Sequence, residues 1–369
     1  MVGAGLMLAL GVMSIEEAWR SIHYETILLL FGMMILVANL RLSGFFRWVA
    51  RHAIRKAHAP VSLLIAIVGV TAVLSAMFVN DTMCIVMTPL VVEITRTLRR
   101  RPLPYLLAVA TSSNIGGTAT ITGNPQNMMI GSFSGIPFAE FFYSLAPVAL
   151  FGMCCTVLLI YVLHRDEFAS TARIEVPDEP LYLDRPLLAK SLFAAAALFL
   201  AFFAGVPVAT GAMVAGALLL ITRRVHPEQV YQQIDWPLLV MFSGLFVVLA
   251  GVEKTSLDED LFRFAARFHL EKIPVLSVAS LVLSNIVSNV PAVLMFKPVI
   301  QRLPNAQDAW LALAMSSTLA GNLTLLGSVA NLIVAERGRE AHVITFWEYT
   351  RVGLPLTLLT LFAGVLWLA

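Results

Sequence analysis

The stretch LAVATSSNIGGTATITGNPQN, at Leu107 to Asn127, recurs 204 residues later as LALAMSSTLAGNLTLLGSVAN, at Leu311 to Asn331. Nine of the 21 aligned positions are identical without a gap, whereas about two would be expected by chance in so apolar a composition. Secondary transporters interrupt apolar helices with small and polar residues where they bind solutes near the middle of the bilayer. The repeated stretch therefore predicts a duplicated site of that kind.

The composition is that of a chain embedded in a membrane. Hydrophobic residues make up 59% of the sequence and charged residues 13%, and the mean hydropathy is +0.83. Apolar runs long enough to span, or nearly so, recur along the chain, which predicts an all-α polytopic protein in contact with the lipid bilayer. Three cysteines are too few for a disulfide framework, and no basic surface with interleaved aromatic residues indicates nucleic acid as a partner.

The duplication extends over nearly the whole chain. Residues 73–91, VLSAMFVNDTMCIVMTPLV, align without a gap on residues 282–300, VLSNIVSNVPAVLMFKPVI. We predict a first repeat at residues 1–163, a cytoplasmic linker at 164–186 and a second repeat at 187–369. The run 187–205 has no counterpart upstream, so the first repeat is expected to lack its first helix.

The two repeats are predicted to be inverted relative to one another. In the second we count five crossing segments and one apolar run, broken at Ser288, Asn289 and Pro291, which is interpreted as a re-entrant hairpin. An odd number of crossings turns one repeat upside down. Residues 41–58 carry a formal charge of +5 and the matching residues 257–272 a charge of −1, so the first hairpin should enter from the cytoplasm of a bacterial inner membrane.

Four interruptions of apolar helices are predicted to form the binding site: two hairpin tips at residues 79–82 and 288–291, and two broken helices at residues 112–127 and 316–331. Freed carbonyls and Asn, Ser or Thr oxygens suit cations, and half-helix amino termini suit anions. Small residues also pack transmembrane helices together, which is the alternative interpretation. The predicted binding residues are Asn80, Asp81, Thr82, Ser112, Ser113, Asn114, Gly116, Gly117, Thr118, Thr120, Gly123, Asn124, Asn127, Ser288, Asn289, Ser316, Ser317, Asn322, Thr324, Gly327 and Asn331.

Asp81 is the candidate for ion coupling. A carboxylate at a membrane-embedded tip is costly, so it is expected to bind a cation or to carry a proton; the alternative is a cap on the helix that follows. A Na+ site is predicted at Asn80, Asp81 and Asn289. Lys297 is a second candidate for proton coupling, although its side chain could equally extend to the interface. No cofactor is expected beyond the coupling ion, H+ or Na+.

At these residues the chain resembles the ion transporter superfamily of arsenite permeases, D-type sodium/proton antiporters, silicon efflux transporters and divalent-anion/sodium symporters. FVNDTMCIVMTPLV and SSNIGGTATITGNPQN are most similar to the arsenite permease and silicon-efflux branch. The symporter branch has Ser-Asn-Thr at both tips, which is matched only in part here. The resemblance implies a scaffold domain and a transport domain that moves like an elevator, usually in a homodimer.

Three functions follow from these features. The first is proton-coupled efflux of a small inorganic solute, either a metalloid acid such as arsenite or silicic acid or an inorganic anion, because amide and hydroxyl groups can bind it by hydrogen bonds. The second is Na+/H+ antiport. The third, sodium-coupled transport of citrate or a dicarboxylate, is disfavoured because the tips add a carboxylate and no arginine. An enzyme is not expected, since the chain has no HExxH motif, no nucleophile elbow and no paired carboxylates in its spans.

Overall fold

A computed structural model of the chain describes residues 1–55, 57–169, 183–221, 225–254 and 268–369, which form helices and contain no strand. The helices up to the linker are α1 (Val2–Ala9), α2 (Ile15–Ser21), α3 (Tyr24–Leu42), α4 (Phe45–Arg55), α5 (Pro60–Phe78), α6 (Asn80–Thr97), α7 (Pro102–Thr118), the 3-10 helix η1 (Ile121–Gly123), α8 (Pro125–Ser134), α9 (Phe138–Leu163) and α10 (Arg165–Phe168). The later helices are α11 (Arg185–Phe203), α12 (Val208–Ile221), α13 (Pro227–Tyr231), α14 (Trp236–Glu253), α15 (Ile273–Val287), α16 (Asn289–Ile300), α17 (Ala306–Ala320), the 3-10 helix η2 (Leu325–Gly327), α18 (Val329–Gly338) and α19 (Phe346–Leu368).

Six of the described helices are long and apolar enough to cross a bilayer: α3, α5, α9, α11, α14 and α19. Their outer faces are apolar because lipid offers no hydrogen-bond partner, and their backbone polar groups are satisfied within each helix. This confirms the prediction of an all-α, multi-pass membrane protein.

Two helical hairpins turn at single residues. α5 and α6 meet at Val79, whose φ is 71°, and α15 and α16 meet at Ser288, whose φ is 77°. Both turns lie in the left-handed region that side chains other than glycine rarely adopt, so packing of the arms must hold them there. The turns coincide with the predicted hairpin tips, and Asn80 and Asn289 begin the second arms.

Two interrupted helices lie at the repeated motif. α7 continues as a regular helix to Thr118 and α17 to Ala320, so the breaks are shorter than predicted and Ser112, Ser113 and Asn114 lie inside the first helix. Each break contains one turn of 3-10 helix before the chain resumes as α8 or α18. Glycine permits the sharp return: a Cβ added to Gly123 would come within 2.2 Å of the carbonyl oxygen of Gly117.

α7 and α17 occupy the centre of the molecule. Every residue of α7 from Pro104 onward and every residue of α17 from Ala309 onward is buried. α7 packs on α5 at backbone contact, since a Cβ on Gly116 would lie 2.1 Å from the carbonyl oxygen of Ala72. Such close approaches are how helices associate in lipid, where burial of apolar surface between helices provides little driving force.

The repeat also pairs Gly32 and Ala38 of α3 with Gly244 and Ala250 of α14, and these two helices are antiparallel. The ring of His23, at the start of α3, lies 6.2 Å from that of Phe246 in the second half of α14. The ring of Phe31, two turns further along α3, lies 5.9 Å from that of Trp236, the first residue of α14. The two aligned helices therefore run in opposite directions.

Some predictions fall on residues outside the described ranges. These include Lys56, residues 170–182 of the predicted linker, and residues 255–267, which contain most of the acidic segment 257–272. Within the described part of the linker, Asp184 accepts a hydrogen bond from the backbone N–H of Leu187 and so caps the amino terminus of α11. The repeat boundaries and the inverted orientation remain predictions.

Candidate functional site

A buried amide side chain, that of Asn114 on α7, lies at the centre of the network that joins the two motifs. Its Nδ2 donates to the Oδ1 atoms of Asn322 at 2.9 Å and Asn331 at 3.1 Å. Its Oδ1 accepts from Nδ2 of Asn80 at 3.0 Å and from Oγ of Ser328 at 3.1 Å. One side chain thus connects the first hairpin and both interrupted helices.

Thr318 on α17 occupies the position in the second motif that Asn114 occupies in the first. Its Oγ1 accepts from Nδ2 of Asn124 at 3.1 Å and from Nε2 of Gln126 at 3.4 Å, and it donates to Oδ1 of Asn127 at 3.2 Å. Each of the two aligned residues therefore bonds to the asparagine that ends the opposite motif. The network has approximate two-fold symmetry.

The last asparagine of each motif donates hydrogen bonds to carbonyl groups at its own helix break. Nδ2 of Asn127 donates to the carbonyl oxygens of Gly117 and Thr120, both at 3.0 Å. The aligned Asn331 makes the equivalent bonds, to the carbonyl oxygens of the aligned glycine and threonine, at 2.7 and 3.1 Å. An interrupted helix leaves carbonyl groups without intrahelical partners, and in a membrane these must be satisfied within the protein. The two asparagines therefore have a structural role.

The first hairpin is anchored on the first interrupted helix. Oγ of Ser75 donates to the carbonyl oxygen of Ser113 at 2.6 Å, and the hydroxyl of Thr120 donates to the carbonyl oxygen of Ala76. Together with the bond between Asn80 and Asn114, these contacts fix the tip against α7. The position of the tip is thus coupled to the geometry of the break.

The second hairpin is held differently. Nδ2 of Asn285 donates to the carbonyl oxygen of Ala320 at 3.1 Å, and Oδ1 of Asn285 accepts from the hydroxyl of Thr324 at 3.4 Å. Oδ1 of Asn289, at the tip, and the hydroxyl of Ser284, one turn before it, are buried and have no hydrogen-bond partner among the described residues. Buried polar atoms usually have a partner, so these two are available to a solute, an ion or water.

Several predicted binding residues are occupied by their own helices. The hydroxyls of Ser112 and Ser316 donate to carbonyl groups one turn earlier, at 2.5 and 2.6 Å, and Thr118 does the same at 3.1 Å. The hydroxyls of Ser113 and Ser317, which were also predicted to bind, donate to carbonyl groups three residues earlier. Threonine and serine in helices commonly bond in this way, so these hydroxyls contribute to packing inside the network.

Asp81 lies in the first turn of α6, half-buried at the hairpin tip with Thr82 beside it. Its backbone N–H donates a hydrogen bond to Oδ1 of Asn80 at 3.0 Å. No cation among the described residues lies within ion-pair distance of its carboxylate. The carboxylate is instead near the positive end of the α6 dipole, which stabilises a negative charge modestly.

In the described structure Lys297 does not pair with Asp81, and the residues predicted to bind Na+ are not bonded across the two hairpins. The Nζ atom of Lys297 lies 5.0 Å from the ring centroid of Phe133 in a cation–π arrangement, and it forms no ion pair with Asp81. No hydrogen bond links the second-tip residue Asn289 to Asn80 or Asp81. Proton coupling at Lys297 and the shared Na+ site therefore remain predictions.

Two cavities lie at opposite ends of α3 and α14, and each is lined in part by the second arm of a hairpin. The first vestibule, about 780 Å³, lies at the carboxyl end of α3 and is lined by Arg41, Arg47, Arg51, Glu93 and Arg337 together with the Ile85 to Leu90 face of α6 and Gln233. The second vestibule, about 390 Å³, lies at the amino end of α3 and is lined by residues that include Arg20, His23, Glu25, Glu253 and Lys297. The two are on opposite sides of the site.

Sequence reasoning missed the partners that complete the network. Ser328, Thr318 and Asn285 make its bonds, and Tyr349 donates to Oδ1 of Asn322 at 3.5 Å. Alignment of the repeats could have identified Ser328 and Thr318, because they align with the predicted binding residues Asn124 and Asn114. Asn285 aligns with an alanine, so symmetry does not point to it.

Comparison with known proteins gives the family. A family model described as citrate transporter matches residues 1–320. The chain belongs to the citrate transporter family. It spans most of the length of its relatives in this family, which are named as transporters, so the protein is a transporter and not an enzyme.

Two relatives and one solved structure are similar to this chain over nearly its whole length. A silicon efflux transporter of Oryza sativa subsp. japonica is 31% identical over 99% of this chain and 90% of its own. A protein of Dictyostelium discoideum that carries the name transporter arsB is 26% identical over 99% of this chain and 85% of its own. The crystal structure of the YdaH transporter of Alcanivorax borkumensis matches with a TM-score of 0.68, at 14% identity, over 99% of this chain and 88% of that one. This last likeness concerns the fold.

Proposed function

We propose that the protein is a proton-coupled exporter of a small inorganic solute, either a metalloid acid such as arsenous or silicic acid or an inorganic anion. The observation that carries the proposal is Asp81: a single carboxylate without a cationic partner among the described residues, bonded through Asn80 to a neutral network of amides and hydroxyls. A hydroxylated solute needs donors and acceptors, which such groups supply. The name of the rice relative supports the same solute class.

The groups left for the solute are at the two tips. The amides of Asn80 and Asn114 are already paired within the protein, so in this proposal they hold the tips in place. The carboxylate of Asp81, the hydroxyl of Thr82 and the unpartnered Oδ1 of Asn289 then contact the solute. Oxygen acceptors from both hairpins would surround a solute rich in O–H donors.

The coupling step is assigned to Asp81. Its carboxylate would take up a proton when the site faces outward and release that proton when the site faces the cytoplasm, so that one proton enters as the solute leaves. A carboxylate in a water-poor setting favours the neutral form more than one in water does, which suits a group that must be protonated and deprotonated in each cycle. No other coupling cofactor is required.

Two alternatives concern the same site. A Na+/H+ antiporter would use the carboxylate of Asp81 and the Oδ1 of Asn289 as cation ligands. A citrate or dicarboxylate carrier would need opposite charge close to the tips, and the described tip residues provide none. The proposal also places the chain in a bacterial inner membrane as a homodimer, with H+ rather than Na+ as the coupling ion.

The test is transport in everted membrane vesicles, in which export appears as uptake. Arsenite, silicic acid, Na+ and citrate are offered separately while respiration acidifies the interior. We expect accumulation of arsenite or silicic acid that a protonophore abolishes. Accumulation of Na+ alone, or of citrate alone, would replace the proposal with the corresponding alternative.

A pair of variants tests the role of Asp81. Asp81→Asn should lower proton-driven accumulation at least tenfold because the amide cannot carry the proton. Asp308→Asn is the matched control, since Asp308 also lies in the first turn of a helix but is exposed at the start of α17. Unchanged proton-coupled flux in Asp81→Asn would show that another group carries the proton.

A further inference from the structure

The first vestibule is strongly basic. Four guanidinium groups line it: Arg41 at the end of α3, Arg47 and Arg51 on α4, and Arg337 on α18. The only carboxylate among its lining residues is that of Glu93, on α6. Three of the arginines belong to the basic run at residues 41–58, and the fold brings Arg337 of α18 beside them.

The charges within the vestibule are far from balanced. Glu93 lies 3.6 Å from Arg51 and offsets one positive charge. Arg41 lies in the repulsive field of both Arg47 and Arg337, and no carboxylate among the described residues forms an ion pair with these three. Bringing like charges together is unfavourable unless an anion is present, so an anion would stabilise this arrangement.

Guanidinium groups are suited to oxyanions. Each is planar and always charged, and its paired N–H donors match two oxygens of a carboxylate or phosphate-like group. A concave wall of one sign also concentrates counter-ions and raises the rate of their arrival about 10- to 1,000-fold. The volume of about 780 Å³ leaves room for a small oxyanion with part of its water shell.

One wall of the first vestibule is formed by α6, the helix whose first turn holds the proposed transport carboxylate. Ile85 and Pro89 line its wall and lie four and eight residues beyond Asp81 on one face of α6. At 1.5 Å per residue they are roughly 6 and 12 Å from Asp81 along the helix axis. The second vestibule differs, because Arg20 and Lys297 are balanced there by Glu25 and Glu253. The strong positive field is therefore confined to one side of the site.

We propose that the first vestibule is a binding site for a small oxyanion, and that it delivers the solute to the hairpin tips from this side where that solute is an inorganic anion. The delivery role rests on the transport function proposed above, whereas the binding site does not. The chemistry is that of a phosphate-like or carboxylate-like group held by Arg41, Arg47 and Arg337. The same chemistry is present in the headgroup of an anionic lipid, so the two sources are tested separately.

Binding is measured on the purified full-length protein in neutral detergent by titration calorimetry. One arm uses inorganic phosphate as the probe, and the other uses short-chain phosphatidylglycerol below its micellar concentration. The variant with Arg41, Arg47 and Arg337 all changed to Gln is compared with Arg339→Gln. Arg339 is the matched control because it is exposed two residues beyond Arg337 and does not line the cavity.

We expect phosphate to bind the wild type and Arg339→Gln equally, with an affinity that falls as salt is added, and to bind the triple variant at least tenfold more weakly. If the triple variant does not fold, the three single variants should each weaken binding about threefold or more. Phosphate binding unaffected by these changes, or binding of the lipid alone, would overturn the proposal. Asp81→Asn should still bind phosphate, so loss of its transport would leave the vestibule site intact.

Discussion

Asn114 offers the sharpest test of the network, through the substitution Asn114→Ala. The change removes four side-chain hydrogen bonds, to Asn80, Asn322, Asn331 and Ser328. All four partners are buried, so no solvent replaces the lost amide. The asparagine connects three helical segments, and its removal should loosen all of them together.

The magnitude follows from the number of bonds. Interhelical hydrogen bonds in membrane proteins contribute about 0.6 kcal/mol on average and up to about 1.7 kcal/mol. Four such bonds correspond to a loss of about 2 kcal/mol in the free energy of unfolding at the average value, and of at most about 7 kcal/mol at the upper one. Thr156→Val is the control, because the buried hydroxyl of Thr156 donates only to the carbonyl oxygen of Gly152 in its own helix, at 2.8 Å; its cost should be below about 0.5 kcal/mol.

The assay is equilibrium unfolding in mixed micelles of neutral and denaturing detergent, followed by circular dichroism. The free energy is compared for the wild type and the two variants under identical conditions. A loss in Asn114→Ala no larger than the loss in Thr156→Val would show that the four bonds do not stabilise the fold as argued.

Two further predictions concern packing and charge. Gly116→Ala should destabilise the protein by about 1 to 3 kcal/mol in the same unfolding assay, because the added Cβ would meet the carbonyl oxygen of Ala72. Gly69→Ala is the control and should be nearly neutral, since its Cβ would have no atom within 4 Å. Equal effects of the two changes would contradict the contact. Outside the spans, a hydrogen bond from Lys254 lowers the pKa of Glu17 from 4.5 to about 2. Its stabilising contribution is therefore present above about pH 4.5 and is lost as the pH falls toward 2, so the difference in unfolding midpoint between wild type and Glu17→Gln should vanish over that range; a constant difference would refute it.

The helical architecture and the positions of the interruptions could be predicted from the sequence because both depend on local composition. A single-residue turn before Asn80 or Asn289 follows from polar residues placed between apolar runs. The ends of the helices could not be predicted as well from the sequence. Ser112 and Asn114 remain helical because α7 is packed on every side, and this packing offsets the low helix propensity of the glycines that follow.

The roles of the asparagines could not be predicted from the sequence. Alignment of the repeats pairs Asn127 with Asn331, yet Asn127 contacts Thr318 and Asn331 contacts Asn114. Alignment reports equivalence and not proximity. Only part of the arginine cluster could be predicted, because the basic run at residues 41–58 contains Arg41, Arg47 and Arg51, whereas Arg337 joins them only when the chain folds.

The crossed bonds between the two motifs also bear on how the protein could have originated. In each motif the residue at the position of Asn114 or Thr318 is paired by the other motif, so an isolated repeat would leave this residue and the terminal asparagine of its own break without those partners. A single-repeat ancestor would have met the same requirement by associating with a second copy in the opposite orientation. Gene fusion would then have converted an antiparallel pair of identical subunits into one chain, in which only one copy now has the aspartate at the hairpin tip.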